Sequence, residues 1–445
     1  MENRYCGACR GERGCKDCKA AVRSAAYTNL TEFSAAGFSR KNSPQNAVLP
    51  NALPVSGGTD AMPEELLLAA DIGTTTLAFV CANEKGEVLA SYGAKNPQRS
   101  VSADVIGRID AACRGMEKQL KQQMREALAE GFLFVLERGK KVLQSAEDQW
   151  KEIPVRVALA GNTTMQHLLF GYPLSGMARA PFAPYSIKEE TVLFSSLFSE
   201  TAVYERFYAK VKEAEVFVFP CLSAFVGGDV LAGAYALSFP GVVNGKEEKD
   251  GSYLLMDLGT NGELLLSASG KVYATAAAMG SAFEGGRFAY ASDLFRLTAN
   301  ALRSGAADET GLLCEPYFTE GFMGLYQEDI RTFQLAKGAV RAGIELLCRR
   351  AGIKAEQIKT VFLAGGAGLY CETEDLLETG IVPKEFKGKI KIVGNSCIGG
   401  LIRYLKERGN TLLCGGEVLN LAEQPEFEEM YYRWMEFKDG VPEET

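Results

Sequence analysis

Two short segments whose aspartates lie 186 positions apart constrain the fold of this 445-residue chain more than any other feature: LLLAADIGTTTLAFV at 66–80 and LLMDLGTNGELLL at 254–266. Each is an apolar run that ends in Asp, passes a Gly-Thr turn and becomes apolar again. That is the pattern of a β-hairpin whose tip presents a carboxylate, backbone N–H groups and hydroxyls. Such a tip suits phosphate and magnesium, and the chain has two. A third segment, TVFLAGGAG at 360–368, reads as a buried strand opening onto a glycine loop, where a backbone can approach a flat ligand closely. Elsewhere strands alternate with helical stretches, which predicts an α/β fold with mixed sheets.

The three segments, in this order, resemble the ATPase domain shared by actin, sugar kinases and heat-shock chaperones. The resemblance implies a two-lobed actin-like ATPase made of duplicated ribonuclease H-like halves. We place the first half at 65–238 and the second at 251–437, joined by the polar stretch SFPGVVNGKEEKDG. An echo supports the duplication: VRVALAGNTTMQHLLFG (155–171) and KIVGNSCIGGLIRYL (391–405) are both strand-Gly-Asn-helix units, the first read as capped by its threonines. From Asp104 to about Glu152 the pattern is helical, with Gly107, Gly115, Gly131 and Gly139 as expected breaks.

Magnesium takes oxygen ligands and keeps several waters, so Asp71 and Asp257 on opposite walls of a cleft would hold it against the phosphates of ATP. Gly73, Thr74, Thr75, Gly259, Thr260 and Asn261 would supply N–H and hydroxyl donors, and Gly365, Gly366 and Gly368 the adenosine loop. Asp229 follows a glycine pair at the start of an alanine-rich helix in FVFPCLSAFVGGDVLAGAYAL. In sugar kinases of this fold a Gly-Asp here acts as catalytic base, so Asp229 is the candidate to orient the attacking water; a helix cap is the equal alternative. Glu284 is a candidate for the ribose or the metal's hydration shell, and Lys337 for the adenosine. Surface or inter-helix charges are the alternative for both.

The N-terminal residues MENRYCGACRGERGCKDCK carry Cys6, Cys9, Cys15 and Cys18 as C-x2-C-x5-C-x2-C, interleaved with glycines that let a chain wrap one metal centre. Structural zinc sites separate their cysteine pairs by roughly 12–20 residues, whereas iron–sulfur sites tolerate compact spacing. A 4Fe-4S cluster is therefore the favoured reading of this arm (1–22), with zinc as the alternative. A linker at 23–64, rich in proline toward its end, follows. The other eight cysteines lie mostly in apolar stretches and read as core.

Residues 1–41 carry a net +4 against −12 for the remainder, so the chain, at −8 overall, is as a whole a poor partner for nucleic acid or anionic membrane. The start lacks an apolar signal core, and no apolar run reaches the roughly 18–20 residues of a membrane span, which makes cytoplasm the expected location. With 47% hydrophobic residues the chain can bury a large core. His167 is the only histidine and is read as a packing residue; without a D-x-H-x-x-G motif, the chain is not expected to bind cobalamin itself.

The set DIGTTT, NPQ with ADVIGRI, GNTTMQHLLFG, FVGGDV, MDLGTNGE, GSAFEGG, QLAKGAV, FLAGGAG and the late Gly-Asn helix is similar to the reductive activators of corrinoid proteins, over about 65–437. The resemblance implies ATP-coupled transfer of an electron from an iron–sulfur cluster to Co(II) of a corrinoid protein in a methyltransferase system, restoring Co(I). An upstream low-potential reductant is implied as well, and a homodimer is left open. The chain departs from the better-known relatives in three ways: its arm is short, Ser281 stands in the GPAFEG pattern, and Gln166 replaces a histidine of GNTTMHH. The rival readings are a small-molecule kinase, an activator of a radical dehydratase, and an actin-like assembly protein with a zinc arm.

Overall fold

The computed structural model describes residues 62–143, 147–243, 251–259, 261–279, 287–288, 291–368, 371–409 and 415–437. Within them the chain builds two six-stranded mixed sheets and a small ribbon. The first sheet holds β1 (Leu66–Ile72), β2 (Thr76–Asn83), β3 (Val88–Lys95), β4 (Val155–Gly161), β5 (Glu190–Leu193) and β6 (Glu215–Val218), in the order β3-β2-β1-β4-β6-β5. The second comprises β7 (Ser252–Leu258), β8 (Asn261–Ala268), β9 (Lys271–Ala278), β12 (Ile358–Ala364), β13 (Ile390–Gly394) and β14 (Glu417–Leu419), in the order β13-β12-β7-β8-β9-β14. Strands β10 (Tyr317–Glu320) and β11 (Met323–Tyr326) form the ribbon.

The sheets repeat one topology. A hairpin strand pairs antiparallel with its neighbour and parallel with a later strand: β1 with β2 and β4, β7 with β8 and β12. β4 then pairs in parallel with β6, as β12 does with β13. This is the duplicated actin-like α/β architecture. The central place of β1 explains its composition: a strand covered on both faces must be apolar on both, and Leu66 to Ala70 are all fully buried.

Helices numbered here as α1 (Val105–Ala111), α2 (Glu117–Val142), α3 (Thr163–Phe170), α4 (Gly228–Ala236), α5 (Ala291–Arg303), α6 (Gln327–Ala351), α7 (Ser396–Lys406) and α8 (Phe427–Met435) cover the sheets. Of the four glycines expected to break the 104–152 helix, only Gly115 does so, with φ +99°. Gly131 lies inside the unbroken α2 because a Cβ there would meet the Phe79 ring at 2.3 Å, so the missing side chain buys close packing onto β2. The cap of α3 is Asn162, whose Oδ1 accepts from Met165 N at 3.1 Å, and the two threonines fall inside the helix. Of the described scattered cysteines, Cys81, Cys221, Cys348, Cys371 and Cys397 are core, whereas Cys113 and Cys314 are exposed.

The halves meet at α4 and α7, which share a core with the inner faces of both sheets, including Leu67, Ala158, Leu255 and Ala364. The two helix backbones come close at Gly400, where a Cβ would lie 1.8 Å from Ala232 O. Arg403 of α7 fixes the far end of α4, donating to Tyr235 O at 2.9 Å and Ser238 Oγ at 2.6 Å, and Tyr235 Oη donates to Glu407 at 2.6 Å. The near ends of both helices therefore have defined positions, and both open onto the tip of the first hairpin. No helix among the described residues is long and apolar enough to cross a membrane.

Candidate functional site

Asp71 is the penultimate residue of β1, and Asp257 holds the same place in β7. The tip of the first hairpin, Gly73-Thr74-Thr75, is pinned, with both threonines buried: Asn96 Nδ2 donates to Gly73 O at 2.9 Å, Arg108 Nη2 to Thr74 O at 2.6 Å, and Asn96 N to Thr75 O at 2.9 Å. Asn162 Nδ2 donates to Thr74 Oγ1 at 2.9 Å. All three tip carbonyls are thus engaged by protein donors. This arrangement accounts for NPQ and ADVIGRI in the sequence, whose Asn96, Gln98 and Arg108 form one buried network behind the tip. Arg108 is fully buried, and desolvation pulls its guanidinium down to about 10, with Arg99 adding to the effect.

At the second hairpin Gly259 N donates to Asn261 O at 2.9 Å. The glycine loop begins at Gly365, whose φ of +83° suits glycine, and a Cβ there would lie 2.4 Å from Asp257 Oδ1. The Gly365–Gly368 turn that follows β12 is therefore set directly against the Asp257 carboxylate. Thr260, Glu284 and the four arm cysteines Cys6, Cys9, Cys15 and Cys18 lie outside the described residues.

Asp229 stands in the first turn of α4, where its Oδ1 accepts from Val230 N at 2.9 Å. Burial, and then the neighbouring Asp71, push its carboxyl up to about 7. A fourth carboxylate joins these three. Glu263 lies directly across from Asp257 in the β7–β8 register, is buried, and is pushed well above the usual range by desolvation, then by Asp229 and Asp257. Asp71, Asp229, Asp257 and Glu263 thus form one chain of interacting acids spanning both halves. An all-oxygen donor set is the kind a hard dication such as magnesium takes, with Asp71 and Asp257 as the residues that would hold it.

These shifts have a consequence for stability. A carboxyl with a raised folded-state pKa keeps a proton that the unfolded chain has already released, so its favourable contribution is complete below the unfolded value and disappears as pH climbs through the folded one. For Asp229 that window runs from about 4 to about 7. The protein in EDTA without nucleotide is expected to melt at a falling temperature between pH 5 and pH 8. Asp229→Asn should flatten the profile, as thermal denaturation followed by circular dichroism would record.

One predicted residue turns out to have other neighbours. Lys337, assigned to the adenosine, is buried with its ammonium donating to Trp434 O at 2.6 Å and to Glu436 O, where it caps the C-terminus of α8. Desolvation, reinforced by Arg341, lowers it to about 7. His167 is a packing residue: Nδ1 bonds to Thr163 O at 2.8 Å and Nε2 accepts from Tyr185 N at 3.1 Å, the pattern of a neutral ring. Gln166, at the departure from the GNTTMHH pattern, donates to Gly161 O at 3.1 Å and accepts from the Cys221 thiol at 3.3 Å.

Two duplicated α/β halves closing on a carboxylate cleft, each with an Asp-bearing hairpin, define the class that includes actin, sugar kinases and heat-shock chaperones. The RACo middle region matches residues 66–240, and the C-terminal domain of RACo, the ASKHA domain, matches 251–292 and 303–441. The chain belongs to the family of reductive activators of corrinoid proteins. It is 24% identical over 444 residues to the corrinoid activation enzyme RamQ of Eubacterium limosum, covering 84% of this chain and 70% of that protein. A solved structure of a reductive activator for corrinoid, iron–sulfur protein superposes with a TM-score of 0.68 at 23% identity, covering 84% of this chain. The present chain spans 66% of that structure's length.

Proposed function

We propose that this protein hydrolyses ATP to drive reduction of a corrinoid protein from Co(II) to Co(I). What carries the reading is membership of both halves in one activator family, supported by a carboxylate cleft of the kind phosphoryl transfer needs. Positioning and electrostatics do most of the work in that reaction. Gly73, Thr74, Thr75, Gly259, Thr260 and Asn261 would hold the phosphates, with Asp71 and Asp257 holding magnesium, whose charge offsets theirs. Gly365, Gly366 and Gly368 would line the adenosine. Asp229, with its proton affinity near neutrality, is suited to orient the attacking water and accept its proton.

Four cysteines within thirteen residues are a donor set that fits an iron–sulfur cluster. Bound to Cys6, Cys9, Cys15 and Cys18, such a cluster supplies one-electron chemistry. The cobalt gains one electron, and an upstream low-potential reductant replaces it. Those cysteines precede both ATPase halves in the sequence, so the two functions can be tested by separate mutations. Protein purified without oxygen is expected to contain near-stoichiometric iron and acid-labile sulfide and to show a visible band that dithionite bleaches. One zinc and no colour would remove the electron-transfer role.

A further inference from the structure

Asp71 belongs to the first sheet, yet its carboxylate is held from the second half. Asn395, which precedes α7, donates from Nδ2 to Asp71 Oδ2 at 2.9 Å, and the buried Cys397 thiol bonds to the same carboxylate. Asn395 has a counterpart in Asn162, since the two occupy the same place in the echoed strand-Gly-Asn-helix units. Each caps its own helix through Oδ1, Asn162 to Met165 N at 3.1 Å and Asn395 to Ile398 N at 2.9 Å. With the amide oxygen fixed by the cap, only the NH2 is left to turn toward the hairpin. Asn162 spends it on Thr74 Oγ1 within its own half, at 2.9 Å. Asn395 spends it on Asp71, across the junction.

The contact is made by a helix start whose position is set by the packing of α7 on α4, where Gly233 faces Ser396 so closely that a Cβ would lie 2.4 Å from its Oγ. A shift of the second half therefore moves the donor away from Asp71, while the Asn162 contact stays. We propose that Asn395, together with the Cys397 thiol, is a positioning residue that makes the metal-holding orientation of Asp71 depend on the second half being seated against the first. This rests on the nucleotide-binding reading above and adds to it the means by which lobe position is sensed at the phosphates.

Serine caps a helix about as well as asparagine but is too short to reach Asp71, so Asn395→Ser separates the clamp from the cap. Cys397→Ala removes the second contact without touching the cap. The test is equilibrium binding of a fluorescent ADP analogue to the full chain, once with magnesium and once in EDTA. Loss of a charge-assisted hydrogen bond should weaken binding in magnesium by about tenfold for Asn395→Ser, less for Cys397→Ala, with binding in EDTA kept within about twofold. Asn162→Ser should weaken both alike. Variants that bind like wild type in magnesium, or lose affinity equally in both conditions, overturn the proposal while sparing the nucleotide reading. A wild-type affinity indifferent to magnesium overturns both.

Discussion

Replacing Asp257 with Ala is expected to lower ATP hydrolysis by about a thousandfold, the scale on which removing one preorganised charge-stabilising group acts. Asp257 is where three parts of the site coincide. It ends the second apolar strand, faces Glu263 across the hairpin, and has the first residue of the glycine loop set against its Oδ1. Gly365, set against that carboxylate, has no side chain to take its place. The substitution should not unfold the protein, since it removes a partly buried acid that repels the buried Glu263. A melting temperature at or above that of wild type at pH 8, with phosphate release near background, is the expected pair of results. Asp257→Asn separates charge from shape, and should be nearly as inactive.

Changing Cys9 and Cys15 to Ser should have the second-largest effect, on the other activity. A hydroxyl does not replace a thiolate as a soft ligand, so half of the C-x2-C-x5-C-x2-C donor set is lost. Iron content should fall to background and transfer to a corrinoid partner should cease. Hydrolysis of ATP should stay within about twofold, because phosphoryl transfer is carried by residues of the two halves. Retained cobalt reduction by this variant would show that electrons reach the partner by another route.

The hairpins were legible because an aspartate that closes an apolar run in front of Gly-Thr has few other uses, and the duplicated sheet order followed from finding two. The asparagines of the two echoed units were visible as well, although their amide contacts with the first hairpin were not. Glu263 was missed for a physical reason: a lone acid in NGELLL reads as a strand interruption until the register sets it opposite Asp257. Arg108 carried even less signal, since a basic residue on a short helix is normally solvated, and only tertiary packing closes it in behind Thr74. Lys337 misled in the opposite sense. Its place in QLAKGAV suggested a ligand contact, but the end of α8 needed a donor for its carbonyls, and that demand decided where the ammonium went.

The most direct measurement is the absorption spectrum of a Co(II) corrinoid protein mixed anaerobically with this protein and a low-potential reductant, with and without ATP and magnesium. Conversion to the Co(I) spectrum only when hydrolysable ATP is present is the result this account predicts. Conversion that proceeds equally without ATP, or no conversion by protein that holds its cluster and hydrolyses ATP, would contradict it.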